Sequence, residues 1–323
     1  MATTRLSIDE SLDGMRLDKA VHTQSSFGLR GVRRLIERGM VLVNGVPGKS
    51  AQKVRRGDSV CISLEEGAAV DVSVLHRQSP YIFLAKPRFL HTVDLTGSVE
   101  PSLWASAKTL FGDTPPILAQ RLDYQTSGIV CCVEDRTSYQ AFRRDEKRGL
   151  VGKTYCALLE GRVEKPLCLR EELLVSDRSK TGVSSALAPH NRWTHIVPYA
   201  YIAEPYPSWL LVPQLREPLS LTLCVCTICC GARHQIRAHA GMSGHPLAGD
   251  TLYGAQSRFV GEPNGAFYLH QAHISLPGAS CTYLPPWIAK AYANTMAASF
   301  GKRDPEGFPF AEASTLRESS QAL

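Results

Sequence analysis

The 323-residue chain has no apolar run approaching the ~18 residues that a helix needs to cross a bilayer. The longest candidate, residues 219–230, is interrupted by Ser220, Thr222 and Thr227. Nor does the N-terminus hold an apolar core ahead of a cleavage site; it carries Asp9, Glu10 and Asp13 instead. These absences predict no secretory signal, no transit peptide, no membrane partner and a cytoplasmic location. Without export, the ten cysteines are expected as reduced thiols rather than a disulfide framework. Two further signals are incomplete. Gly48-Lys49-Ser50 lacks the upstream glycine spacing of a phosphate-binding loop. The run Cys224 to Cys230 contains a Cys-x-x-Cys spacing, but a zinc site needs a second ligand pair, for which His234 and His239 are the nearby candidates. Small cysteines in a buried strand explain the run better, so no metal and no cofactor are expected.

What is present suits a globular protein. Hydrophobic residues make up 44% and charged residues 20%, and the length allows one large domain plus one small one. The net charge of +6 is unevenly placed: residues 1–60 hold eleven Lys or Arg against six Asp or Glu, an excess of five. A local basic surface favours a polyanion such as RNA over the alternative of a merely solvated face.

The basic region has a clear local pattern. Asp13 is predicted to cap a helix with apolar positions Leu17, Ala20 and Val21. A second helix is predicted from about Leu29 to Arg38. Its stripe is Leu29, Val32, Leu35 and Ile36, with Arg30, Arg33, Arg34 and Arg38 largely on the other side. Gly39 ends it, Met40 to Val43 reads as a strand, Asn44-Gly45 as a turn, and Gly57-Asp58 as a turn before a strand from Ser59 to Leu64. This order resembles the small S-four-like RNA-binding domain. The residues that carry the resemblance are Arg16-Leu17-Asp18-Lys19, Arg33-Arg34-Leu35-Ile36, Gly39-x-Val41-x-Val43-Asn44-Gly45 and Val54-x-x-Gly57-Asp58-x-Val60. The expected domain spans residues 1–65, followed by a linker over 66–79 with at most one short strand around Val70 to Leu75. A basic helical hairpin without a ligand is the other reading.

From Pro80 the texture changes to alternating strands and helices. Tyr81 to Ala85 reads as a strand broken by Lys86-Pro87; Pro101 to Phe111 and Ser138 to Arg148 read as helices. Residues 186–222 show no clean periodicity and are read as strands carrying an irregular insertion near Ser208 to Pro218. The polar tail over 299–323 is expected to be disordered. Ile129 to Val133 is a short apolar run that reads as a buried strand, so Asp123 sits on a loop at the edge of a sheet, with Arg121 nearby. Alone, Asp123 would be read as capping a turn. The full string Arg121-Leu122-Asp123-x-x-Thr126-Ser127-Gly128, however, resembles the catalytic motif of the RluA-type pseudouridine synthases. Further matches are Lys153-x-Tyr155, Gly231 to His239, Gly244-His245-Pro246-Leu247-x-Gly249-Asp250-x-x-Tyr253-Gly254, and Tyr268 to Pro277. Ala85 and Phe89 replace the family's Asn and Gly around Lys86-Pro87, and Ala232 stands where the family has an arginine.

The resemblance implies an α+β fold: a catalytic domain over 80–298 with a mixed, largely antiparallel sheet and flanking helices, beside a small α/β RNA-binding domain. It implies a catalytic carboxylate at Asp123, a cation paired with it at Arg237 and a tyrosine packed on the target base at Tyr155. Arg121 would fill the space left by a flipped nucleotide, and Ile236 or Leu252 would line the pocket. Either Arg233 reaches the place of the arginine that Ala232 replaces, or one polar interaction is absent. Arg30, Arg33, Arg34 and Arg38 would meet phosphates. Such an isomerase breaks the bond from ribose to uracil nitrogen and rejoins the ring through carbon, with no redox change, cofactor or obligatory protein partner. A basic N-terminal helix tilts the expected substrate toward rRNA, the large subunit favoured. Transfer RNA is the alternative substrate. A catalytically impaired RNA-binding protein of the same fold is the competing function, and a metal hydrolase on the His and Cys cluster is a third class.

Overall fold

Apolar residues three and four apart build the first helices of the computed structural model. Leu17, Ala20 and Val21 are buried on α1 (Leu17–Gln24), and Val32, Leu35 and Ile36 on α2 (Leu29–Glu37). The structure describes residues 2–25, 27–37, 39–64, 70–95, 100–176, 180–202, 210–211, 220–259, 266–288 and 317–318. Two units are distinguishable: residues 1–71 with 91–115, and residues 72–90 with 116–323.

In the first unit an antiparallel sheet runs in the order β1 (Ala2–Ser7), β4 (Ser59–Leu64), β2 (Val41–Val43), β3 (Val46–Pro47). Asn44 and Gly45, with φ of 52° and 82°, make the two-residue turn between β2 and β3. One apolar cluster, drawn from residues between Ile8 and Ile62, fills the interior. Asp13 does not cap α1. The chain turns at Gly14 and pairs Arg16 with Lys53, so Arg16 takes the N-cap position while the Asp13 carboxylate accepts from the Arg56 N–H at 2.8 Å. Asp18 is fully buried and accepts from Arg16 twice at 3.1 Å and from Arg33 Nε at 2.8 Å. Ser102 caps α3 (Leu103–Phe111), accepting from the Ala105 N–H, which moves the start of that helix past Pro101.

The second unit is organised on a mixed sheet. Its strands are β5 (Val74–Gln78), β6 (Tyr81–Lys86), β7 (Ile117–Leu118), β8 (Ser127–Val133), β9 (Gly152–Glu160), β10 (Leu167–Leu169), β13 (Thr194–Ile202), β15 (Leu221–Ile228), β17 (Leu269–Leu276) and β18 (Ala279–Thr282). The order along the main path is β10-β13-β15-β9-β17-β8-β6-β5, antiparallel except for β17 against β8. Every residue of β8, β9 and β15 is buried, and in β8 this accounts for the apolar run from Ile129 to Val133. The cysteines of β15 belong to this interior. A hairpin of β11 (Glu171–Leu174) and β12 (Gly182–Leu187) is separate, and β14 (Leu210–Leu211) pairs with β16 (Arg258–Phe259).

Three local expectations change. The strand expected around Val70 to Leu75 is β5, shifted to 74–78 by its pairing with β6. Helix α4 (Arg136–Lys147) begins before Ser138 because Asp135 caps it, accepting from the Ser138 N–H at 2.8 Å. The stretch without clean periodicity contains the nine-residue strand β13, whose Pro198 sits where the register with β15 shifts; a bulge is where a proline is tolerated inside a sheet. Most of the insertion near Ser208 to Pro218, and the tail over 299–323 apart from 317–318, lie outside the described residues.

One close approach ties the centre of this sheet. Gln271 on β17 lies opposite Gly128 on β8 and Tyr155 on β9. A Cβ on Gly128, where φ is +121°, would fall 2.4 Å from the Gln271 carbonyl oxygen and 2.5 Å from its nitrogen. Gly128→Ala should therefore destabilise the protein on the order of 3 kcal/mol, through strain plus overpacking. Gly45→Ala, at positive φ but with nothing within 4 Å, should cost only ~1 kcal/mol. Thermal melting of the two variants checks the contrast; equal losses would mean that the close approach is relieved by small shifts.

Candidate active site

The aspartate loop is anchored on both sides. Leu122 packs against the apolar cluster that contains Tyr155, Ile236 and Leu269, while the Thr126 N–H donates to the Asp123 carbonyl at 3.1 Å to close the turn. Lys86, at the end of β6, is buried beneath it. Its ammonium donates to the carbonyls of Thr126 at 2.6 Å, Pro87 at 2.9 Å and Tyr124 at 3.3 Å. Burial pulls the Lys86 pKa down to about 7, opposed by the charge of Asp123. The Asp123 side chain that this bracing presents is 25% exposed.

Arg237 approaches from α5 (Gln235–Met242). Its Nη1 donates to Asp123 Oδ2 at 3.3 Å, but its stronger partner is Asp250. Nε donates to one Asp250 oxygen at 2.6 Å and Nη2 to the other at 2.9 Å. The guanidinium also lies 4.5 Å from the Phe267 ring centroid and 5.2 Å from that of Tyr253. Burial works against the charged form; Asp250 foremost, then Asp123, more than offset it, so the Arg237 pKa is raised. The Tyr155 hydroxyl donates to Gln271 Oε1 at 2.9 Å, the same oxygen that accepts from Gln120 at 3.2 Å. Burial pushes the Tyr155 phenol well above its ordinary range.

These groups meet in a cleft that is open to solvent. Asp123, Tyr155, Arg237, Arg121 and Ile236 line it, joined by Ala232 and His234. Leu252 is not brought in; it is exposed outside the lining. Arg233 also stands off the lining and donates to the Ser176 carbonyl at 2.7 Å, toward the β11–β12 hairpin. Arg33 lies in the first unit, half exposed and bonded to Asp18. The side chains of Arg30 and Arg34, and all of Arg38, lie outside the described residues.

Lys86, Asp250, Gln271 and His234 are site residues that sequence reasoning misses. Signals for them exist. Lys86-Pro87 and Gly249-Asp250 stand within motif strings, and a glutamine inside the apolar run Leu269 to Leu276 is a buried polar group that needs partners. Among the described residues no group of three or more His, Cys, Asp or Glu is arranged to hold a metal ion. The arrangement presents one carboxylate, fixed by a braced loop and by a cation locked from behind, to whatever enters the cleft.

A family model described as RNA pseudouridylate synthase matches residues 80–241, which include Asp123, Tyr155 and Arg237. An uncharacterised RNA pseudouridine synthase of Bacillus subtilis is 24% identical over 265 residues, covering 77% of this chain and 82% of the relative. Ribosomal large subunit pseudouridine synthase D of Nitrosomonas europaea is 25% identical over 272 residues, covering 79% and 73%. Among solved structures, human RNA pseudouridylate synthase domain containing 1 has the same fold, with a TM-score of 0.51 at 19% identity over 78% of this chain and 94% of that one.

Lys86 gives a pH-dependent prediction. Its folded-state pKa of about 7 lies below the ~10.4 of an unfolded lysine. Between those values the unfolded chain holds a proton that the folded protein has released, so this group's contribution to stability rises with pH. Lys86→Met removes that rise and the donor to three carbonyls, at a cost on the order of 2 kcal/mol. The stability gap between wild type and variant, measured by denaturant unfolding, should widen from pH 7 to pH 10. A constant gap would show that the folded protein keeps the proton.

Proposed function

The chain belongs to the RNA pseudouridylate synthase family, and from that premise we propose that Asp123 is the reacting carboxylate that isomerises uridine in structured RNA, large-subunit rRNA foremost. The observation that carries the reading is the 3.3 Å hydrogen bond between Asp123 and Arg237, residues 114 positions apart in sequence, on a cleft also lined by Tyr155. Arg237 fixes the orientation of the carboxylate, which can serve as a nucleophile in covalent catalysis. Tyr155 offers a ring for the extruded base to pack on, with Ile236 beside it. Arg121, exposed and lining the same cleft, fits the role of filling the gap in the RNA. A base inside a stack is out of reach, so flipping costs a few kcal/mol that interactions elsewhere must supply.

In this reading residues 1–65 form the S-four-like RNA-binding domain and residues 80–298 the catalytic domain. The first has an apolar cluster of its own, the basic excess, and half-exposed Arg16 and Arg33 held in place by buried Asp18. The comparison with the large-subunit synthase of Nitrosomonas europaea supports rRNA as substrate class. No helix of the described residues is long and apolar enough to cross a membrane, and the ten free thiols suit a reducing compartment such as the cytoplasm.

Asp123→Asn is the decisive variant. It keeps shape and turn preference while removing charge and nucleophilicity. Pseudouridine at the target should fall below detection when RNA from cells carrying each variant is mapped, with the melting temperature and RNA affinity close to wild type. Isomerisation at a comparable rate would end the assignment. Separately, removing residues 1–65 should weaken RNA binding. It should also flatten the slope of log affinity against log salt by ~0.7–0.9 for each phosphate no longer neutralised. An unchanged slope on folded protein would take the basic face away from RNA.

A further inference from the structure

Rejoining uracil through carbon requires a further proton transfer besides the step assigned to Asp123. When C5 bonds to the ribose C1′ it becomes tetrahedral and still carries its hydrogen. That proton must leave, its electron pair re-forming the ring double bond, while the released N1 gains a proton; the sum is an isomerisation. Removal of a proton from carbon is the step that a positioned base accelerates.

The cleft narrows the choice of base. Arg121 and Arg237 are cations. The Tyr155 hydroxyl is committed to Gln271 Oε1 at 2.9 Å, and burial disfavours its ionised form. Gln235 is an amide whose nitrogen donates to the Trp193 carbonyl and Thr194 hydroxyl. His234 is different. Its side chain is 15% exposed, it lines the cleft, and its Nε2 stands 3.9 Å from Asp123 Oδ2. Its Nδ1 is 3.1 Å from the Tyr253 hydroxyl. That hydroxyl in turn lies 3.4 Å from the Thr181 carbonyl, to which it donates. The chain of hydrogen bonds allows Nδ1–H to donate to Tyr253 and leaves the Nε2 lone pair on the side of Asp123. The ring is held in place: His234 has left-handed backbone, φ 56° and ψ 22°, a conformation that His adopts more readily than most side chains, and its ring meets Tyr253 edge-on at 5.8 Å.

We propose that His234 is a catalytic residue, the base that takes the C5 proton after the uracil has rejoined the ribose. The assignment rests on the reading of Asp123 as the reacting carboxylate. The charges around the ring are consistent with it. Burial, Arg237 and Arg233 oppose protonation, Asp123 and Asp250 favour it, and the net effect lowers the pKa from its ordinary value, so the neutral form is the one present at pH 7. Once protonated, the imidazolium would face the Asp123 carboxylate. The base works above its own pKa, so the rate should fall as pH drops through that value and hold above it.

The test uses full-length protein and a large-subunit rRNA transcript containing [5-³H]uridine, with tritium release and pseudouridine formation followed in single turnovers. His234→Asn is the variant of choice, since Asn tolerates left-handed backbone. It should slow the reaction ~10²–10³-fold with RNA affinity unchanged within about twofold, and lose the acid limb of the pH profile. Added imidazole should restore part of the rate, and deuterium at C5 should slow the variant more than wild type. Tyr253→Phe, which removes the partner of Nδ1, supplies a second variant and should shift the acid limb. A His234→Asn enzyme within about threefold of wild type, or one slowed with its acid limb intact and no rescue by imidazole, overturns the proposal. Wild-type protein that releases no tritium overturns the Asp123 reading as well, whereas an active wild type with an unaffected His234→Asn variant overturns this one alone.

Discussion

A guanidinium buried to the extent of Arg237 costs several kcal/mol to desolvate, and the site is built around meeting that cost. Asp250 does so with two hydrogen bonds in the bidentate geometry that arginine favours. With Nε and Nη2 committed, the direction of Nη1 is fixed, and it points at Asp123 with the longest hydrogen bond of the three. The division of labour follows from the distances. Asp250, wholly buried, holds the cation; Asp123, a quarter exposed, keeps an approach for substrate. The requirement extends outward to Gly249, where φ is +86° and an added Cβ would fall 2.0 Å from the Ala266 carbonyl oxygen. The chain must pass that closely for Asp250 to stand behind Arg237.

The second constraint is the centre of the sheet. The parallel pairing of β17 with β8 and the antiparallel pairing of β17 with β9 bring Gly128, Gln271 and Tyr155 side by side. Gln271 then gives Tyr155 a fixed partner, while the strand that begins at Ser127 carries the aspartate loop to the same place. Reacting groups set on strands and a braced loop hold their geometry better than groups on a free loop. Lys86 completes the bracing from β6, one strand beyond β8.

The sequence is most informative where a chemical role and a local structural signal coincide. Asp123 precedes an apolar strand, Tyr155 lies within one, and Arg237 sits near the start of a helix; the structure puts all three on one cleft. Asp250 is visible in sequence as part of Gly249-Asp250, yet nothing local says which cation it holds, because that pairing is made by tertiary packing. His234 reads from sequence as a candidate metal ligand, and its actual neighbours are Asp123 and Tyr253, set by a left-handed backbone that no periodicity reveals. Leu252 fails for the converse reason: it is apolar and near Asp250 in sequence, but the short 3₁₀ turn over Thr251–Tyr253 points Tyr253 inward and leaves Leu252 exposed. Strand β13 is hidden because it is buried on both faces and so shows no alternation, and Pro198 interrupts its apolar run at the register shift.

The cations of the site bear on where RNA affinity comes from. Arg237 spends its hydrogen bonds on two carboxylates, and Lys86 gives its own to three backbone carbonyls. Neither is placed to meet a phosphate, because both are buried and drawn inward. Among the described residues of the cleft lining Arg121 is the exposed arginine, and one arginine contributes little to binding a polyanion at physiological salt. In the first unit the position is reversed: Asp18 is buried and its two arginines remain half exposed, so the carboxylate positions cations for solvent instead of holding one inside.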